Sequence, residues 1–227
     1  MENNIEKPYV IGLDMGGTNS IFGIVDQRGN IKAQTAIKSQ AYPDFKDYVA
    51  AAVEALGPAL DVVGGIDQIR GMGIGAPNAN FYTGCIEGSA NLVWKGNVHL
   101  AQGFEDALGI PVRVTNDANA AAMGEMTYGV ARGMKNFIMI TLGTGVGSGI
   151  VVDGKVVYGS DGYAGELGHV IIDHTGNGRQ CGCGRKGCLE TYCSATGVAR
   201  TAREFLSKSD AASESRNMNP EDITSYD

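Results

Sequence analysis

One arrangement occurs twice in this chain and limits the folds open to it. Residues 9–13 form a short apolar run, the turn Asp14-Met15-Gly16-Gly17-Thr18-Asn19 follows, and residues 20–25 are apolar again. A second turn, Asp26-Gln27-Arg28-Gly29-Asn30, leads into a third run at 31–37. Short apolar runs bounded by Gly, Asn and Asp are strands joined by tight turns, here an antiparallel meander. The order returns at residues 137–142, Gly143-Thr144-Gly145-Val146-Gly147, 148–152, Asp153-Gly154 and 155–158, where Asp-Gly is a hairpin signal. The repeat predicts two related α/β lobes, residues 1–123 and 124–227, with the junction near residues 123–135.

Other elements follow from spacing. Phe45, Val49, Val53 and Leu56 predict a helix over 43–56, stopped by Gly57-Pro58. A strand at 69–74 runs into a loop at 75–97, and residues 100–108 form a helix ended by Gly109 and Pro111. A strand at 112–115 leads to Asn116-Asp117, which opens a helix reaching Tyr128. A further helix is expected over 195–206, and the polar stretch 208–227 reads as a solvated loop or tail.

Composition narrows the class. Glycine supplies 34 of 227 residues, about twice the usual share. The absence of a Gly-X-Y period excludes collagen, and a 43% hydrophobic share excludes disorder. Glycine this dense points to tight turns and close approach of backbone to ligand. No glycine lies beyond Gly197, so the end of the chain is a different kind of sequence. A net charge of −7 disfavours nucleic acid as a partner. Residues 1–10 carry two Glu and one Lys without the apolar core of a signal peptide, and no apolar run is long enough to span a membrane. A cytoplasmic location without membrane contact is the expectation.

Three motifs carry chemistry. A strand ending in Asp14-x-Gly16-Gly17-Thr18 suits a phosphate cradle, because glycines let backbone N–H groups approach anionic oxygens and Thr18 adds a hydroxyl. Asp14 would repel phosphate but can hold Mg2+ or its waters. Gly143-Thr144-Gly145 repeats the cradle without the acid. Either turn alone is also an ordinary hairpin; matching copies in two lobes favour phosphate. Asn116-Asp117 sits where Asn and Asp are preferred helix N-caps. An acid at that strand end would also face a cleft and could accept a proton from an attacking hydroxyl. Cys181-x-Cys183-x4-Cys188 places three thiols in a glycine-rich loop that can wrap a tetrahedral ion, with His169 or His174 as the fourth ligand. Arg185 and Lys186 would offset the thiolate charge, while Cys85 and Cys193 read as small apolar residues.

Together these segments resemble the ROK family of sugar kinases and sugar-responsive repressors, and most of all its glucokinase-type members. The resemblance runs from about Tyr9 to Leu206 and rests on the three motifs, on Gly73-Ile74-Gly75-Ala76-Pro77, on Gly165-Glu166-Leu167-Gly168-His169 and on Leu189-Glu190. It implies an α/β, two-lobed actin/hexokinase-like (ribonuclease H-like) fold. Family members are about half as long again, so it also implies a second lobe left incomplete, without the adenosine-binding glycines. The implied activity is ATP-dependent phosphorylation of a hexose, glucose first, with Asp117 as general base. Gly75, Asn116, Glu166, His169 and Glu190 would contact the sugar. Asp14, Gly16, Gly17, Thr18, Asn19, Gly143, Thr144 and Gly145 would surround ATP and Mg2+. His169, Cys181, Cys183 and Cys188 would hold a structural Zn2+. A homo-oligomer, dimer or tetramer, is also implied. Two departures stand out: the His169–Cys181 spacing is two residues longer than expected, and Asn19 stands where many members have Lys. The alternatives are a sugar-binding regulator, disfavoured because only thirteen residues precede Asp14, and a sugar-binding fragment without catalysis.

Overall fold

The computed structural model describes residues 7–88, 92–210 and 212–226. The chain divides into two compact units, Met1–Phe137 with Val151–Ala164, and Ile138–Ile150 with Gly165–Asp227.

The first unit is built on a five-stranded sheet. β1 (Tyr9–Met15), β2 (Asn19–Asp26) and β3 (Ile31–Lys38) form the expected antiparallel meander. Alternation decides which way they face: Ile11, Leu13 and Met15 of β1 and Phe22 and Ile24 of β2 are buried. Helix α1 (Phe45–Val62) starts at Asp44, whose carboxylate accepts the Lys46 N–H at 2.7 Å. It returns the chain to β4 (Ile69–Gly75), which pairs parallel with β1. A small hairpin of β5 (Ile86–Glu87) and β6 (Asn97–Val98) follows, inside the stretch expected to be loop; residues 89–91 of that stretch lie outside the described residues. Helix α2 (Leu100–Leu108) ends on Gly109 at φ 66°, as its sequence predicts. β7 (Val112–Thr115) pairs parallel with β4, giving the order β3-β2-β1-β4-β7. Helix α3 (Asp117–Tyr128) follows at once.

Two local expectations change. Helix α1 does not stop at Gly57-Pro58 but runs on to Val62. Its buried stripe of Val49, Ala52, Leu56 and Ala59 continues past the proline, and Pro58 itself is exposed. Packing of that stripe outweighs the lost N–H. The stop is Gly64-Gly65, both at positive φ, with the Gly65 N–H reaching Leu60 O at 2.9 Å. The C-terminal stretch is not wholly solvated either. Ile223 is buried, and Arg203 donates to the carbonyls of Ile223 at 2.7 Å and Glu221 at 3.3 Å. Residues 211 and 227 of that stretch lie outside the described residues.

The core of the first unit is one cluster holding Ile11, Phe22, Tyr48, Leu56, Ile69, Leu100, Phe104 and Val112. Tyr48 and Phe104 meet edge to face at 6.2 Å, and Phe104 meets Phe22 at 6.4 Å.

The repeat recurs in β8 (Phe137–Leu142), β9 (Val146–Val152) and β10 (Lys155–Val156), ordered β10-β9-β8. Asp153 at φ 50° and Gly154 at φ 72° make the expected two-residue hairpin turn. In the second unit a one-turn helix α4 (Glu190–Cys193) precedes α5 (Ala195–Lys208), which is capped by Ser194 Oγ accepting the Gly197 N–H at 3.1 Å. Among the described residues no helix is long and apolar enough to cross a membrane.

Phe104→Ala removes a fully buried ring that three elements share. Urea unfolding is expected to show a loss of about 3–5 kcal/mol; a loss below about 1 kcal/mol would show that the ring is not central.

Candidate functional site

In the first unit, strand register gathers the predicted residues. Asp14 pairs with Gly75, and Gly75 pairs with Thr115, so the carboxyl ends of β1, β4 and β7 stand side by side. Open α/β sheets bind ligands at that end of parallel strands. Beyond β1, Gly16 N–H bonds Asn19 O at 2.8 Å and closes the Gly16-Gly17-Thr18 turn. Asp14, Thr18 and Asn19 are exposed there. Beyond β7, Asn116 is the N-cap of α3, its side chain accepting the Asn119 N–H at 2.7 Å. That assigns the capping role to Asn116 and leaves Asp117 in the first turn, exposed, with Oδ1 accepting its neighbour Ala118 N–H at 2.8 Å. Gly75 is buried, and a Cβ on it would stand 3.1 Å from Ala120 Cβ and 3.6 Å from Asp117 Cα. The glycine thus lets the helix start lie directly against the end of β4.

Beneath the first turn lies a chain of hydroxyls that sequence reading did not find. Tyr48 Oη donates to Ser20 Oγ at 2.7 Å, Ser20 and Ser39 share a bond of 2.8 Å, and Ser39 Oγ donates to Gly16 O at 2.9 Å. Ser39 N–H also bonds Thr18 O at 2.9 Å. Burial raises the Tyr48 hydroxyl well above its usual pKa, so it remains a donor. The turn is therefore held from below by buried groups while its upper surface stays open.

In the second unit, the predicted residues converge on Val146. Its N–H donates to Glu190 Oε2 at 3.0 Å. Its carbonyl lies so close to Gly168 that a Cβ there would be 2.3 Å away. Ser148 Oγ donates to Gly165 O and accepts the Leu167 N–H at 3.3 Å. These contacts seat the whole segment 165–169 on β9, with Glu166 exposed and His169 half-buried. Gly143 and Thr144 are exposed, and the Gly143 N–H closes the turn on Gly145 O at 3.0 Å.

His169, Cys181, Cys183 and Cys188 come together: one ligand atom from each lies within 4.8 Å of the others. Cys183 and Cys188 sulfurs are 3.7 Å apart, and His169 Nδ1 is 3.6 Å from Cys181 Sγ. A tetrahedral zinc site with Zn–S near 2.3 Å has ligand edges of about 3.8 Å. The donor set and its spacing therefore fit zinc. His174 is not in the group. Gly187, at φ 78°, allows the close return of the chain, because a Cβ would meet Asp173 O at 2.2 Å. Burial pushes the Cys181 thiol up to about 12, whereas the Arg185 backbone N–H holds Cys183 at about 6. The loop thus already favours negative charge at Cys183, with the Arg185 guanidinium beside it.

The sequence profile of the ROK family matches residues 10–226. The chain belongs to the ROK family. Its α/β architecture is that of solved ROK structures with the actin/hexokinase-like fold. The glucokinase of Halalkalibacterium halodurans is 39% identical over 206 residues, covering 88% of this chain and 61% of that relative. N-acetylmannosamine kinase of Salmonella newport is 33% identical, covering 88% of this chain and 66% of that relative. A ROK family glucokinase from Streptomyces griseus, solved in complex with glucose and AMPPNP, superposes with a TM-score of 0.71 at 35% identity, covering 86% of this chain and 60% of that one. The ROK chain described here thus spans about three fifths of the length of these glucokinases.

A second buried support in this ROK chain also escaped sequence reading. The Arg179 guanidinium donates to Thr191 O at 2.7 Å and Gly197 O at 3.1 Å, pairs with Glu204 at 2.8 Å, and lies 4.5 Å over the Tyr192 ring. Tyr192 Oη in turn donates to Asp173 Oδ2 at 2.7 Å. Arg179 so ties the cysteine loop to α4 and α5. The only signal in sequence was an arginine beside the cysteines, and nothing in its spacing marked it as buried.

Tyr48→Phe removes the outer donor of the hydroxyl chain. The expected loss is about 1–2 kcal/mol in urea unfolding, with faster amide exchange at Ser39. Unchanged exchange at Ser39 would mean that the chain of hydroxyls does not hold the turn.

Proposed function

We propose that this chain carries the hexose-phosphorylating machinery of an ATP-dependent ROK kinase, with glucose as the best-fitting hexose. The chief support is the shared strand end of the first unit, where a metal-competent acid, a phosphate-type turn and an exposed acid at a helix start stand together. The similarity to glucokinases, one of them solved with glucose and AMPPNP, supports the same reading.

In this proposal Asp117 accepts the proton of the sugar's 6-hydroxyl as that oxygen attacks the γ-phosphorus of ATP. The bond from the γ-phosphorus to the bridging oxygen breaks, ADP leaves with the electron pair, and the proton passes from Asp117 to solvent. Asn116, Glu166, His169, Glu190 and the backbone at Gly75 hydrogen-bond the remaining sugar. Gly17 and Thr18 in one turn, and Thr144 and Gly145 in the other, donate to phosphate oxygens, while Gly16 and Gly143 close the two turns and Asn19 stands beside the first. Asp14 holds Mg2+ or its waters, and the metal when bound offsets phosphate charge. Zinc when bound by His169 Nδ1 and the three cysteines fixes the imidazole ring. With His169 Nδ1 toward Cys181, Nε2 is the ring nitrogen that would be left to face a sugar oxygen.

Two outcomes are expected. Asp117→Asn lowers kcat for glucose phosphorylation by about 100-fold or more while the glucose Kd stays within about threefold. A variant that keeps most of its activity rules out Asp117 as the base. Freshly prepared reduced protein contains close to one equivalent of zinc by elemental analysis, and Cys188→Ser loses it together with thermal stability. Less than half an equivalent in the parent protein would contradict the zinc assignment.

A further inference from the structure

The first unit ends on a turn at residues 158–164, and Glu166 follows two residues later. The turn closes on itself where the Ala164 N–H bonds Tyr158 O at 3.0 Å. Three bonds tie it to residues 80–87 of the same unit. Buried Asn80 donates from Nδ2 to Asp161 O at 2.8 Å, and Tyr82 Oη donates to Gly159 O at 2.9 Å. Tyr163 Oη donates to Glu87 Oε2. The Phe81 and Tyr158 rings stack 4.2 Å apart at 7°. Gly162, at φ 88°, lets the turn pass Asn80, because a Cβ there would stand 2.6 Å from Asn80 Oδ1.

Glu87 is the fixed end of the Tyr163 bond. Its Oε1 accepts the Thr83 hydroxyl at 2.7 Å, and Oε2 also accepts Asn80 Nδ2 at 3.3 Å. The Tyr163 and Thr83 hydroxyls hold its carboxyl below the usual range, so it remains an ionised acceptor at neutral pH. The stretch that carries it continues directly from β4. The Ala76 N–H bonds Thr115 O at 3.0 Å, and the Ala79 N–H bonds Ala76 O at 3.2 Å. Tyr163 is thereby tied to the sheet end that also carries Gly75 and Asp117.

We propose that Tyr163 and Glu87 are positioning residues for the hexose, acting through Glu166. This rests on the assignment of Glu166 to the sugar. Only Ala164 and Gly165 separate Tyr163 from Glu166, so an anchor on Tyr163 restricts where the backbone of Glu166 can stand. The next link is held as well: Gly165, at φ 94°, accepts the Ser148 hydroxyl on its carbonyl. Glu166 thus follows a stretch fixed at two points, and loss of the Tyr163 bond frees the first of them. A carboxylate fixed in advance gives up less freedom when a sugar hydroxyl engages it. Neither Tyr163 nor Glu87 touches the sugar in this arrangement, so the anchor sets hexose affinity and not the rate of phosphoryl transfer.

Titration calorimetry of glucose, with kcat measured beside it, tests this. Tyr163→Phe keeps the ring and removes the hydroxyl. It is expected to weaken glucose binding about fivefold while kcat stays within about twofold. Thr83→Val, which takes the donor from Glu87 Oε1, is expected to shift affinity the same way, and Thr83→Ser to restore it. In a Glu166→Ala background, Tyr163→Phe is expected to add less than about a twofold change, because its target is gone. The anchor is overturned if Tyr163→Phe binds glucose like the parent, or weakens it equally in both backgrounds. It is also overturned if kcat falls as far as affinity. Should Tyr163→Phe fail to fold, the Thr83→Val and Thr83→Ser pair decides. If Glu166→Ala binds glucose like the parent, or the parent binds no hexose, the sugar assignment falls and the anchor with it. If Glu166→Ala weakens glucose and Tyr163→Phe does not, the anchor alone falls.

Discussion

Asp14, Gly75 and Thr115 stand side by side because the hydrogen bonds between β1, β4 and β7 fix one parallel register. A slip of one residue would turn Ile11, Leu13 and Met15 out of the core, so burial enforces that register. Everything on the first unit follows from it. The turn after β1 must open at the same sheet end as the helix start after β7. Gly75 then decides how closely α3 lies against β4, and so where Asp117 stands. The hydroxyl chain from Tyr48 to Gly16 transmits the rigidity of the core to the underside of the turn, leaving its outer side, with Thr18 and Asn19, exposed.

The second unit reaches order by a different route. Its segment 165–188 has little regular structure and depends on backbone contacts that only glycine permits. Gly168 against Val146 and Gly187 against Asp173 are approaches that a Cβ would block. Arg179 supplies the polar counterpart, a nearly buried guanidinium with carbonyl and carboxylate partners. Losing a partner of such a buried charge is far more damaging than losing an exposed pair. These contacts place the four metal-competent side chains together.

Much of this was legible in the sequence. Glycine turns, hairpin signals and the Asn-Asp helix start are local chemistry, and β1 to β3, α2, α3 and the Asp153-Gly154 turn lie where that chemistry puts them. The cysteine spacing named its own cluster, and geometry then chose His169 over His174. Other features depended on contacts far apart in the chain. Pro58 reads as a stop, yet the buried stripe around it carries α1 to Val62. Ile223 looks like part of a polar tail until Arg203 is seen to hold its carbonyl. Tyr48, Ser20 and Ser39 are spread over 28 residues, and no spacing rule joins them. The Val146–Glu190 bond spans 44 positions and is equally silent in one dimension.

In the proposed function these elements serve the transfer of a phosphoryl group to a hexose hydroxyl. The most direct measurement is a single-turnover reaction with excess protein, glucose and ATP labelled on the γ-phosphate. The account predicts label on the 6-oxygen of glucose in one exponential phase. Label appearing only as inorganic phosphate, or remaining in ATP while glucose is bound, would contradict it.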